Sequence, residues 1–409
     1  MNLKNNSRRN YNKIAPYLLA LIGLVLFIKF PFAYHLGMFL VYFLVSLYVY
    51  TRLKRLLAAS QLGRRIFSFV YLSLVLAYPL VELISHASQA KFLKYVLLFG
   101  YYSLPFLLYL FLLTALGELL LLLNRVVKIV PLKFIRNRAF ARAMLGILLA
   151  GTMGIVVLGR IHYENIKVNE YRIEIPGQSA KIDHLLIALA ADFHISDVTE
   201  PRLIETIIGK INSTHPDIVL LAGDLLEGDR PGFEVSRYAA LFRRLRAKYG
   251  VYASLGNHDY QRVINHSNFF DLAGIKVLED RFVIIDQSFC LAGRSDSHQG
   301  IKRSLDQVLG GAPRNFPIIL MDHRPSNFAE TLRHPVDIQL SAHTHHGQLF
   351  PINLITQLKY DLSWGYRHIQ RTHFFVTCGV QTWGPPVRTV GDSEIMLIRV
   401  TFAHGRPSS

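Results

Sequence analysis

Residues 336–347 read VDIQLSAHTHHG. Alternating apolar positions end in His343, His345 and His346, and imidazoles this dense are costly to bury unless something organises them. The stretch therefore reads as a strand that delivers nitrogen ligands at its end. Its meaning depends on whether other segments bring complementary ligands to the same place.

From about residue 165, short runs rich in Val, Ile and Leu end in turn residues and alternate with helical stretches. HLLIALAADFH (184–194) and PDIVLLAGD (216–224) are apolar runs that terminate in carboxylates. Between them, EPRLIETIIGKINSTHP (200–216) has apolar residues at helical spacing until a proline stops it. KYGVYASLGNHD (248–259) and FPIILMDHRP (316–325) repeat the strand-then-polar pattern. This alternation predicts an α/β or α+β layered domain with its polar residues at strand ends, where such folds keep their sites.

Five such ends carry chemistry: Asp192-Phe193-His194, Gly223-Asp224, Gly256-Asn257-His258-Asp259, His323, and His343-Thr344-His345. Each alone has an ordinary reading, Asp224 as a cap, GNHD as a turn, His323 as a hydrogen-bonded core histidine. Together they supply carboxylate oxygen, imidazole nitrogen and amide oxygen, the mixture that divalent metals take. Asp-x-His and His-x-His would use the two-residue period of a strand to aim both ligands to one side. Two ions about 3.5–4 Å apart need a carboxylate to bridge them, and Asp224 stands between the ligand groups.

The first part of the chain has a different character. The formal charge of +17 invites a nucleic-acid reading, but residues 161–409 hold 26 basic and 26 acidic side chains. Residues 1–160 therefore carry 45 − 26 = 19 basic and 28 − 26 = 2 acidic residues, Glu82 and Glu118. A basic, apolar, nearly acid-free segment is how membrane spans with positively charged loops look, so no nucleic-acid partner is expected. Apolar runs near 14–30, 33–50, 66–84, 95–123 and 143–159 approach or exceed the roughly 20 residues a crossing needs. FLLYLFLLTALGELLLLLN (106–124) shows almost none of the polar striping of a soluble bundle. Fifteen Lys and Arg fall in the N-terminal tail and alternate loops, against Lys29, Lys91 and Lys94 in the others. Five crossings with a cytoplasmic N-terminus then put everything after Arg160 outside the cytoplasm. A hairpin at 95–123, where Pro105 lies, would reverse that.

The five blocks in this order resemble the signature of the calcineurin-like metallophosphoesterases, across roughly residues 180–400. HTHHGQ (343–348), VTCGVQTWGPPVR (376–388) and EIMLIRV (394–400) are similar to the membrane-associated bacterial branch with a GHTHGGQ-type motif. Charge and hydropathy predict a multi-span α-helical membrane region of about five helices over 1–160, and the resemblance implies that it is followed by an α/β metallophosphoesterase domain over 161–409, a two-sheet β-sandwich flanked by helices. It implies two divalent ions (Mn, Zn or Fe), one held by Asp192, His194, Asp224 and His345, the other by Asp224, Asn257, His323 and His343. His258 would stand over the substrate as proton donor, with Asp259 orienting it, while a hydroxide held between the ions attacks phosphorus. Two positions depart from the pattern: Ala342 replaces a glycine, tolerable at negative φ, and His346 replaces another, as a phosphate donor or a turn cap.

The expected activity is hydrolysis of phosphoester or pyrophosphate bonds. The site's closeness to the last span favours a lipid-linked substrate: a phospholipid, an isoprenoid diphosphate or a nucleotide-activated glycolipid. The expected location is the bacterial cytoplasmic membrane, with the catalytic domain on the extracytoplasmic side. The competing class is a non-catalytic metal-binding membrane sensor or scaffold; a transporter has only Glu82 and Glu118 to offer. Leu349, Phe350 and Trp364 could seat an acyl chain or simply pack. Cys290 and Cys378 could pair in an oxidising compartment.

Overall fold

The computed structural model describes residues 31–57, 60–84, 93–177, 179–196, 198–227, 235–262, 269–296 and 302–403. The span expected at 14–30 lies outside them. The chain divides into two compact units, Met1–Ser88 with Tyr95–Val157, and Gln89–Lys94 with Leu158–Ser409.

The described residues of the first unit are helical: α1 (Pro31–Leu56), α2 (Gln61–Ile84), α3 (Leu93–Val127), the short α4 (Leu132–Ile135) and most of α5 (Arg138–Glu164). Three stretches, Gln61–Val81, Lys94–Val127 and Arg138–Glu164, are long and apolar enough to cross a membrane. α1 covers the expected 33–50 segment but closes on Arg52, Lys54 and Arg55 and is not among the three. α3 runs unbroken through Pro105 for 35 residues, about 52 Å at 1.5 Å per residue, so the hairpin alternative does not form. Only 22% of each candidate window is buried, and side chains such as Phe69 and Val70 face outward, the inverse of a soluble bundle. Glu118 is not a free intramembrane charge. Arg52 Nε lies 2.7 Å from its Oε1, and the Tyr48 hydroxyl donates to Oε2 at 3.0 Å.

The second unit stacks two six-stranded sheets. One has the order β1 (Ile166–Pro176), β12 (Ser393–Ala403), β2 (His184–Ala190), β3 (Ile218–Ala222), β4 (Val251–Ser254) and β5 (Lys276–Val277). The other runs β10 (Gly365–Ile369), β11 (Thr372–Val376), β9 (Ile338–Ser341), β8 (Ile318–Asp322), β7 (Phe289–Arg294) and β6 (Arg281–Ile285). Ile187, Leu189 and Leu220 of the first sheet meet Ile319, Met321 and Leu340 of the second in the central core. Helices cover the outer faces. Pro201 opens α6 (Pro201–Ser213), whose Ile204, Ile207, Ile208 and Ile211 form one buried stripe on the first sheet, beside α7 (Val235–Phe242). α8 (Leu305–Val308) covers the second sheet, and α9 (Phe328–Thr331) packs Phe328 on Phe374 of β11.

β2, β3 and β4 run parallel, as do β7, β8, β9 and β11. The polar blocks all follow the C-terminal ends of these strands. Parallel register, not any local motif, gathers them at one rim of the sandwich.

Candidate metal centre

Asp192 and His194 lie beyond β2, outside the strand. Both have positive φ, 56° and 41°, as do Asp224 at 54°, His343 at 71° and His345 at 48°. The expected strand geometry for Asp-x-His and His-x-His is therefore corrected. Left-handed residues kink the chain so that Asp192 and His194 share one side, while Phe193 between them is fully buried in the core under α6 and α7. The kinked segments stay paired: Asp192 N–H donates to Gly223 O and His194 N–H to Asp224 O, each at 3.0 Å. Five residues in a sparsely populated backbone region are strain concentrated at one site.

Close backbone approach explains the glycines. A Cβ on Gly223 would sit 2.6 Å from Gly256 N and 2.7 Å from His323 Nδ1; on Gly256 it would sit 2.1 Å from Asp224 Oδ1. Ala342, by contrast, has negative φ and is buried, and its N–H donates to His323 O at 2.8 Å. The extra methyl is accommodated there.

The ligand-type atoms gather in three overlapping groups, each within 4.8 Å: Asp192, His194 and His345; His194, Asp224 and His258; Asp224, His323 and His343. Asp224 belongs to two of them, its Oδ2 lying 3.1 Å from His323 Nε2 and 3.8 Å from His194 Nε2. His194 Nδ1 is bonded to Glu227 at 2.5 Å and His323 Nδ1 to Ala222 O at 2.7 Å, which turns both Nε2 atoms inward. That arrangement orients metal-binding imidazoles. Asn257 Oδ1 and His345 Nδ1 are buried without a hydrogen-bond partner. A polar atom left so is costly, and a cation between these groups removes the cost, so the residues fit the two-metal centre.

Electrostatics agree. Burial pushes the Asp192 carboxyl up to about 6, against the pull of His323 and His194. Burial opposes charge on His194 and His323, yet Glu227 and Asp224 raise them to about 9 and about 10. Asp224, although buried, is held well below the usual carboxylate range by His323 and His194. Burial and the neighbouring cationic imidazoles push His343 and His345 far down, leaving neutral rings available as ligands.

Asp259 bonds to backbone N–H groups rather than to the His258 ring. Its carboxylate accepts backbone N–H bonds from Asp224, Leu225 and Gly256 at 2.7, 3.0 and 2.9 Å, so it clamps the two loops together. The carboxylate facing His258 is Glu227, with Oε1 at 3.3 Å from Nδ1. Glu227 thus joins His194, His258 and the Trp383 indole, whose Nε1 donates to it at 3.0 Å. Nothing in the sequence separates it from a solvated glutamate three positions after Asp224. A second unforeseen residue is Arg388, fully buried, whose guanidinium donates to the carbonyls of His345, Cys378 and Gln381 at 3.1, 2.8 and 2.7 Å. Its only sequence signal was its place in the 376–388 tail.

His346 belongs to none of the clusters. Its ring lies 5.0 Å from that of Trp364, and its N–H donates to Thr344 Oγ1, so Thr344 is the cap. Leu349 is buried, whereas Phe350 and Trp364 are exposed. Cys290 and Cys378 are both buried and unpaired, so no disulfide joins them.

The family model described as calcineurin-like phosphoesterase matches residues 185–347. An uncharacterized metallophosphoesterase of Helicobacter pylori is 29% identical over 56% of this chain and 63% of its own length. A transmembrane protein with metallophosphoesterase domain from Danio rerio is 29% identical over 57% of this chain, which spans 56% of that relative. An uncharacterized metallophosphoesterase of Campylobacter jejuni is 25% identical over 88% of this chain and 96% of its own length.

Proposed function

We propose, from the match of residues 185–347 to the calcineurin-like phosphoesterase model and from the ligand clusters, that the chain is a membrane-anchored hydrolase of phosphoester or pyrophosphate bonds. The observation that carries the reading is the set of three overlapping ligand clusters, in which Asp224 lies between His194 and His323, with Asn257 Oδ1 and His345 Nδ1 buried and without a hydrogen-bond partner. Asp192, His194, Asp224 and His345 would hold one divalent cation; Asp224, Asn257, His323 and His343 would hold the other. Bound there, the two cations supply a water of lowered pKa and positive charge against the phosphoryl oxygens.

The side chains do the rest. Glu227 draws the Nδ1 side of His258 toward itself, so His258 presents Nε2 to the substrate and delivers its proton to the departing oxygen. Asp259 keeps the loops of Asp224 and Gly256 in register. Buried Arg388 anchors the His345 carbonyl from behind.

A lipid-linked phosphate is the substrate class we propose. β1 begins at Ile166, directly after the span-length α5 ends at Glu164, which supports a cleft held near a bilayer. The HTHHGQ segment and the 376–388 tail support a place in the membrane-associated branch. The positive-charge bias of the loops and the unbroken α3 support an extracytoplasmic domain.

The test is hydrolysis of an aryl phosphodiester and monoester by the full chain in lipid with Mn²⁺. The full chain is needed because Tyr163 of α5 donates to Gln381 at 2.7 Å, so the domain includes the end of that helix. His258→Ala should lower turnover about 10²–10⁴-fold with metal retained, whereas Asp224→Ala should lose both. Equal metal loss in the two variants would refute these roles. A metal-replete chain with no activity on either ester would favour the binding-module reading.

A further inference from the structure

A span-length helix leads straight into the domain, and the domain carries an uncovered apolar surface at the same end. α10 (Ile352–Lys359) has no buried residue. Leu354, Ile355 and Leu358 are exposed, Leu358 by 89%, and its sequence INLITQLK contains no acid. Phe350, Trp364 and Trp383 extend the patch. Between residues 165 and 403, the only other large apolar side chains exposed among the described residues are Ile352 of α10 itself, Leu272, Ile284 and Tyr366. A water-facing domain rarely concentrates its apolar surface so.

The place of the patch indicates its occupant. Phe350 N–H donates to Thr389 Oγ1 at 2.9 Å, and Arg388 N–H, one residue earlier, donates to Gly159 O of α5 at 2.9 Å. The root of the patch is therefore tied to the last turns of α5, where Leu158 and Ile161 are themselves exposed. A bilayer spanned by α5 would border this end of the domain. Both tryptophans turn their indole N–H inward, Trp364 to Glu394 at 2.8 Å and Trp383 to Glu227 at 3.0 Å, and present their rings outward. Lys359 and Arg367 are exposed among them. Amphipathic aromatics with flanking cations are the composition of a surface that sits at the lipid headgroup level.

We propose that Phe350–Trp364 together with Trp383 is a membrane-docking surface, which enters the leaflet that α5 exits and sets the metal centre at headgroup height. Trp383 links the two: its ring lies 6.2 Å from that of His258, and its indole holds Glu227. This rests on α5 being a span and deepens the lipid-substrate reading by naming the surface that brings the cleft to the lipid.

The chain has two tryptophans, both in the patch, so emission excited selectively from tryptophan reports on this surface despite the 20 tyrosines. The full chain would be reconstituted in phosphatidylcholine vesicles with and without bromine on the acyl chains. Docking quenches the emission in brominated vesicles, and Leu354→Glu with Leu358→Glu relieves the quenching while metal content stays unchanged. Protein that resists alkaline carbonate extraction but is not quenched overturns docking and leaves the span intact. Release into the carbonate wash overturns both. Quenching unaltered in the double variant removes α10 from the surface. A detergent-solubilised wild type that is dimeric where the double variant is monomeric would assign the patch to a second copy, overturning the proposal.

Discussion

The proton inventory of the centre follows from its individual residues. His194 and His323 are raised to about 9 and about 10, so near pH 7 each carries its second proton when no metal is bound. A cation needs the neutral ring, so loading at pH 7 should release on the order of two protons per domain. Release should fall away, and apparent affinity rise, as pH climbs past the His194 and then the His323 value. Calorimetry of Mn²⁺ binding in buffers of different ionisation enthalpy reads this directly; a heat independent of buffer would contradict it. Glu227 supplies a second prediction at this scale. Glu227→Gln should weaken metal binding through His194 by roughly 10–100-fold, and should also lower turnover at saturating metal because His258 loses its partner. A variant with normal turnover once loaded would confine Glu227 to the His194 side. Asp192, His194, Asp224 and the histidines were legible because their residue types and order carry the signal. Glu227, Trp383 and Arg388 were not, since a lone glutamate, tryptophan or arginine has many ordinary uses and only tertiary proximity assigns one.

Among the elements, the strands and α6 were legible for reasons of period. The apolar stripe of α6 at 204, 207, 208 and 211 marks the face it buries, with Pro201 at its start and Pro216 beyond its end. Ile207 is fully buried, so Ile207→Ala should cost about 2–5 kcal/mol of stability, measured as a shift in the denaturation midpoint of the domain. Metal content of the folded fraction should not change, because α6 lies outside the rim that carries the ligands. The loops after the strands behave differently. There the two-residue period fails, and left-handed residues at 192, 194, 224, 343 and 345 set where the ligands point. Gly256→Ala puts a methyl into the Asp224 carboxylate and should remove metal binding before it unfolds the sheets. Retained metal with an unchanged fold would show that this approach can relax.

For the whole molecule, charge and hydropathy divide the chain, and α5 joins the parts. Helix α5 is span-length, yet its last turns belong to the second unit through Gly159, Tyr163 and the Ser393 hydroxyl, which donates to Tyr163 O at 2.9 Å. The charge bias predicts that protease added to spheroplasts digests the domain, while inside-out vesicles protect it. Protection in spheroplasts and digestion in inside-out vesicles would reverse the orientation. That outcome would admit cytoplasmic nucleotide-activated lipids as substrates.

The division into an apolar, basic helical part and a balanced α/β part is written in the sequence, because hydropathy, charge and strand period are properties of short stretches. The sequence also singled out the candidate ligands that the fold gathers at one rim, because metal chemistry demands particular side chains at the strand ends. Folding alone reveals that Asp259 clamps loops while Glu227 faces His258, that α3 is one helix, that the cysteines stay apart, and that α10 is left uncovered. Each of these depends on which residues distant in the chain are brought together, and that is set by packing and parallel sheet register across the whole domain.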